Sequence, residues 1–156
     1  MSSRLFKRVR EELGAAYYVR ADADLMLDHG LFAISAGVNH PKLEVVISAI
    51  LEECAKLTRE LVGSAELKKS RDHYAGRFLI GLETSDAMAS FYGGQEVLVG
   101  KMIDPKEYMR RIAEVSPEEI QAVASDVFKD SGLNLALIGP QKNPAPLQKI
   151  LRFPLF

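Results

Sequence analysis

Three histidines, one cysteine and a few grouped acidic residues are what this 156-residue chain offers for chemistry. His29 lies in a turn, His40 precedes a helix-starting proline, and His73 stands in a helical run between Asp72 and Tyr74. Neither His-x-x-Glu-His nor His-Glu-x-x-His occurs, and no Cys or His stands at ligand spacing from another. A complete metal site within the chain is therefore not expected. Cys54 falls on an apolar helical stripe, where a thiol acts as a small core hydrophobe. Asp22, Asp24 and Asp28 offer a carboxylate cluster for acid–base work or calcium. Alternation along a strand edge accounts for them as solvated groups, and the glycine and terminal glutamate of an EF-hand loop are missing. Gly93-Gly94 matches neither a P-loop nor a dinucleotide fingerprint, and reads as a place of close helix approach or a kink. Lys68-Lys69 and Arg110-Arg111 read as solvated helix faces. These groups do not assemble an enzyme.

Composition points the same way. Residues of the AVILMFWYC set make up 47% of the chain and charged residues 26%, the balance of an ordinary globular domain. With 20 Lys+Arg against 21 Asp+Glu the net charge is −1, which argues against nucleic-acid or membrane-surface binding. No apolar run reaches the roughly 18–20 residues that span a bilayer. The opening residues lack the apolar core of a secretion signal. A single cysteine excludes an intrachain disulfide and fits a reducing compartment, so a cytoplasmic location is expected. The length suits one domain, and a second independent core is not expected.

The elements that position these residues follow from periodicity. Ser2 or Ser3 caps a first helix that carries Leu5, Phe6, Val9 and Leu13 and ends at Gly14. Period-two alternation from Ala15 to Leu25 predicts a strand, Asp28-His29-Gly30 a turn, and Leu31 to Val38 a second strand. After Pro41 the period changes. Leu43, Ile47, Ile50, Cys54, Leu57 and Leu61 step by four and three, a long helix stripe. Gly63 breaks that helix, Ser64 caps the next through Leu67, Tyr74 and Phe78, and Thr84-Ser85-Asp86 restarts another to about Val99. Asp104-Pro105-Lys106-Glu107 and Ser116-Pro117-Glu118-Glu119 are capping boxes opening helices that end near Glu114 and Lys129. Leu133 to Ile138 predicts a third strand, closed by Gly139-Pro140, and a loop with one helical turn follows. The fold class is α+β: a small, mainly antiparallel three-stranded sheet covered on one face by five to six helices.

The opening block carries a resemblance. Ser2-Ser3-Arg4-Leu5-Phe6, then Val9-Arg10-Glu11-Glu12-Leu13-Gly14, then Ala16-Tyr17-Tyr18-Val19 resembles the hallmark of the C-terminal, non-zinc-binding domain of M16 zinc metallopeptidases. That family includes insulin-degrading enzyme, pitrilysin and the mitochondrial processing peptidase. Further matches follow in order: Phe32, Ile34 and Gly37; Glu66 to Lys69; Leu82 to Ser85 before Met88-Ala89; Gly93 and Gln95; Ser116-Pro117-Glu118; and Leu135 to Pro140. The resemblance implies a half-domain of the kind shared by the peptidase and LuxS-like metallohydrolases. It implies an inactive half, with the zinc motif carried by a homologous N-terminal domain or partner subunit. It also implies that Arg10 and Tyr17, seven residues apart, hold substrate. An Arg fork binds a carbonyl or carboxylate, and a Tyr hydroxyl bonds a scissile carbonyl or its oxyanion. Without the resemblance, Arg10 reads as a solvated helix residue and Tyr17 as half-buried core.

A family domain usually begins with a strand and a helix before this block, and here the block starts at Met1. Residues 1–140 are therefore expected to form the C-terminal-type domain without its first strand and helix, and residues 141–156 a tail. A piece of a longer chain, a split gene product, or a homodimer pairing through the free sheet edge would each account for this. The expected function is a non-catalytic chamber wall that binds unfolded peptide opposite a partner's zinc site. The chain alone is not expected to be catalytic and needs no cofactor of its own. The alternative is a structural or interaction module of a catalytically silent relative.

Overall fold

Ser3 starts the first helix: the Phe6 amide donates to its hydroxyl at 3.3 Å and the Lys7 amide to its carbonyl at 3.1 Å. The computed structural model describes residues 3–154, so a cap by Ser2 lies outside the described residues. From Phe6 to Glu12 the helix is a π-helix rather than the expected α-helix. Its closing bond runs from the Leu13 amide five residues back to the Arg8 carbonyl, at 3.2 Å. Gly14 then adopts φ +53°, a left-handed conformation that glycine reaches without a Cβ clash. Strand β1 (Ala16–Leu25) and strand β2 (Gly30–Val38) form a two-stranded antiparallel hairpin. A bond from the Met26 amide to the His29 carbonyl closes its turn. A short 3-10 turn, His40–Lys42, leads into helix α1 (Leu43–Arg59). Then come α2 (Ser64–Gly81), α3 (Ser85–Val99), α4 (Pro105–Glu114), α5 (Pro117–Val127) and α6 (Ala145–Ile150). The fold class is α+β.

The third strand does not form. Residues 133–138 take up no ladder, and the sheet among the described residues holds β1 and β2 alone. A strand is made by its pairing, and local propensity supplies no partner. Leu135 and Leu137 stay part-exposed and Ile138 fully so.

The described residues group into two compact units: 3–24, 31–60 and 121–154 in the first, 25–30 and 61–120 in the second. In the first unit, Val9, Ala15 and Val46 are sealed from solvent, with Leu13, Ala16, Val19, Val38 and Ile50 packed around them. A second cluster joins Ile47, Leu51 and Leu147, bordered by Leu43, Leu133, Ile150 and Phe153. Burying each such aliphatic side chain contributes about 1.5–3 kcal/mol. Because α1 meets the π-helix and α6, its buried arc is wider than the predicted stripe. Val46, Ala49, Leu51 and Ala55 are buried alongside Ile47 and Cys54, whereas Leu61 lies beyond the helix end and is exposed. The C-terminal segment thus supplies core through Leu147.

In the second unit, Val62 and Leu67 are buried. Tyr74, Phe78, Phe91 and Tyr108 form a ring cluster with centroids 4.9–6.5 Å apart. Gly63, not Ser64, occupies the N-cap of α2, with no side-chain cap bond. Thr84 caps α3, and Asp104 accepts from the Lys106 and Glu107 amides at the start of α4. Glu107 does not complete a box; it pairs with Arg110 and Arg111 instead. Gly93 and Gly94 run through a continuous α3 with nothing within 4 Å of an added Cβ, so close approach does not explain them.

Candidate functional site

The corner between the π-helix and β1 is fastened at several points. Val9 and Ala15 are both sealed in the core, and the Ala15 amide donates to the Val9 carbonyl at 3.1 Å. The Lys42 ammonium donates to the Leu13 carbonyl at 2.7 Å and also reaches Gly14. A cation there complements the carbonyl end of the helix. The Asn39 amide adds a bond to the Ala15 carbonyl. Arg10 and Tyr17 stand on either side of this corner.

Both point to solvent. Tyr17 is 78% exposed, which overturns the alternative of a half-buried core residue. Arg10 is exposed, and its guanidinium carbon lies 4.8 Å from the centroid of the Phe6 ring, one helical turn back. Arg10 forms no ion pair among the described residues, and no hydrogen bond joins it to Tyr17. Its neighbour Arg8 is neutralised: it reaches Glu12 at 3.0 Å and Glu52 at 3.6 Å, and its pKa is raised, chiefly through the Glu12 hydrogen bond. One helix therefore carries a compensated arginine and an uncompensated one. Sequence reasoning missed Phe6 and Lys42 as supports of the site. The Phe6–Arg10 spacing of four was the signal available for the first.

The remaining candidates do not converge. Asp22 pairs with Arg20 at 2.7 Å and Asp28 with His29 at 2.6 Å, while Asp24 is exposed. His40 and His73 are solvent-facing. Cys54 is buried, and burial followed by the charge of Glu53 pushes its thiol up to about 11. A shallow cavity of about 320 Å³ lies between Arg8, Glu44, Ser48, Glu52 and Ile150, and the Arg8–Glu52 pair at its rim uses those charges on each other. Among the described residues, no group of three or more His, Cys, Asp or Glu could hold a metal ion.

Comparison with known proteins gives this geometry a context. In fold, the chain resembles a chain of complex III2 from Candida albicans, with TM-score 0.73 and 17% identity, over 83% of this chain and 31% of that one. It also resembles a protease from Helicobacter pylori, with TM-score 0.66 and 23% identity, over 84% and 32%. Residues 1–74 match the model of the peptidase M16 inactive domain. The chain is 33% identical over 143 residues to an uncharacterized zinc protease of Bacillus subtilis (strain 168), covering 92% of this chain and 35% of that one. It is 32% identical to one of Streptomyces coelicolor, covering 92% and 31%. In its first 74 residues the chain is similar to the inactive domain of the M16 peptidase family. It spans about a third of the length of the curated relatives it matches. The zinc in those relatives' names finds no ligand set among the described residues. No helix of the described residues is long and apolar enough to cross a membrane.

Proposed function

We propose that this chain is the non-catalytic half of an M16 zinc peptidase, binding extended peptide on the surface that carries Arg10 and Tyr17. Residues 1–140 supply that half-domain. Zinc and the water it activates belong to a homologous partner domain or subunit, and this chain's part is to hold the peptide. Arg10 offers in-plane N–H donors to a peptide carbonyl or carboxylate, and Tyr17 offers a hydroxyl. The sheet offers free backbone groups at its edge for an added strand. The observation that carries this reading is the exposure of Tyr17 beside a fastened corner. An aromatic with 78% of its surface in water contributes little to the core and is available to a ligand.

The test is anisotropy of a labelled unfolded peptide titrated with this chain, alongside cleavage of the same peptide in a zinc-containing mixture with an M16 domain bearing His-x-x-Glu-His. Binding that weakens on Arg10→Ala and on Tyr17→Phe, with cleavage only in the mixture, supports the proposal. Zinc-dependent cleavage by this chain alone overturns it. Binding unaffected by both substitutions moves the role to that of a scaffold module.

A further inference from the structure

We infer that Phe6 is a positioning residue for Arg10, its ring face holding the guanidinium in place while leaving the N–H edge open. The inference rests on the peptide-binding reading only for its functional consequence; the contact itself is independent of that reading. Four observations carry it. The Arg10 guanidinium carbon is 4.8 Å from the Phe6 ring centroid, well inside the roughly 6 Å range of a cation–π contact. Phe6 belongs to neither buried apolar cluster of its unit, so the ring is not accounted for as core filling. The two residues lie four apart on one helix, a spacing that sets their side chains on the same face. Lastly, the nearby carboxylates Glu12 and Glu52 are engaged by Arg8.

The chemistry follows from the shape of guanidinium. A carboxylate partner would occupy the N–H edge and cancel the charge. An aromatic face attracts the cation and takes no hydrogen bond from that edge. A side chain that otherwise loses considerable rotamer freedom on binding is held in advance, with its donors unspent. Phe6 thereby does for Arg10 what a glutamate could not do without blocking it.

The test uses the intact chain and two readouts. The first is the side-chain NMR of Arg10, whose Hδ and Hε resonances should be shifted upfield by the ring current in the wild type. They should return to ordinary positions in Phe6→Leu and stay shifted in Phe6→Tyr, with thermal melting of each variant confirming the fold. The second is the labelled-peptide titration, where Phe6→Leu should weaken binding about threefold, Phe6→Tyr should restore it, and Phe6→Leu should add nothing in an Arg10→Ala background. Arg10 resonances indifferent to Phe6→Leu in a folded protein overturn the inference, as does a binding loss that persists in the Arg10→Ala background. Ring-shifted Arg10 resonances that Phe6→Leu abolishes, in a chain that binds no peptide, support the positioning and overturn the peptide-binding reading.

Discussion

The ring of Tyr18 on β1 lies over the α-carbon of Gly37 on β2, so closely that a Cβ added at position 37 would stand 2.6 Å from Tyr18 Cε1 and 3.0 Å from Cδ1. Cross-strand coverage of a glycine by an aromatic ring recovers packing that the missing side chain would have supplied. Gly37→Ala therefore has to swing the Tyr18 ring off the hairpin. The expected result is a net loss of about 1 kcal/mol in urea denaturation. In a Tyr18→Ala background the same substitution should become neutral or stabilising, since alanine in a strand is favoured over glycine. Equal effects in both backgrounds would mean that the ring is not what requires glycine.

Leu147 gives the second prediction. It is 4% exposed and packs with Ile47 and Leu51 of α1. Leu147→Ala should cost about 2–4 kcal/mol, read as a lowered denaturation midpoint at unchanged slope. A variant as stable as the wild type would show that α6 is not part of the cooperative unit.

Acid sensitivity should concentrate on α4. Hydrogen bonds from Arg110 and then Arg111 hold the Glu107 carboxyl down to about 2 from its usual value near 4.5. A carboxylate with a depressed folded pKa gives stability that is fully present above the unfolded value. That stability is lost as pH falls toward 2. Glu107→Gln should therefore flatten the stability profile between about pH 4.5 and 2 and leave its neutral limb parallel to the wild type. Because the group stays part-exposed, added salt should shrink the difference. A wild-type profile already flat in that window would contradict the pairing.

Cys54 should be silent in the native state. Burial and the neighbouring Glu53 charge keep the thiol protonated at neutral pH, its value raised to about 11. Only thiolate attacks disulfide or alkylating reagents, so labelling should appear on unfolding and follow the denaturation curve. Rapid labelling of the folded chain would show that the site opens locally.

What was legible in the sequence was whatever a few adjacent residues decide. The box at Ser116 forms in both directions, with the Ser116 amide donating to Glu119 at 2.7 Å and the Glu119 amide to Ser116 at 3.1 Å. Thr84 and Asp104 cap as their types demand. The hairpin, the long helix and the stop at Gly14 follow from period and turn chemistry. Residues whose state depends on distant partners were misread. Leu133 to Ile138 has the composition of a strand and no ladder to join. Leu61 continues a numerical pattern past the end of its helix, and Gly37 rather than Gly93-Gly94 meets the close approach. Arg10 and Tyr17 could be singled out by resemblance, but the exposure of Tyr17 and the Phe6 ring under Arg10 are properties of the folded corner.

The segment Leu133 to Ile138, which joins no ladder among the described residues, ends in a way that limits what it can do. Every residue from Asn134 to Gly139 carries an amide proton able to bond a neighbouring chain, and an apolar edge of this kind invites uncontrolled growth. Pro140 has no such proton, and its ring fixes φ. Any ladder that starts on Leu135, Leu137 and Ile138 is interrupted there. The segment can take a neighbour for a few residues, while the chain's own covalent geometry keeps that pairing from spreading along the remaining C-terminal residues.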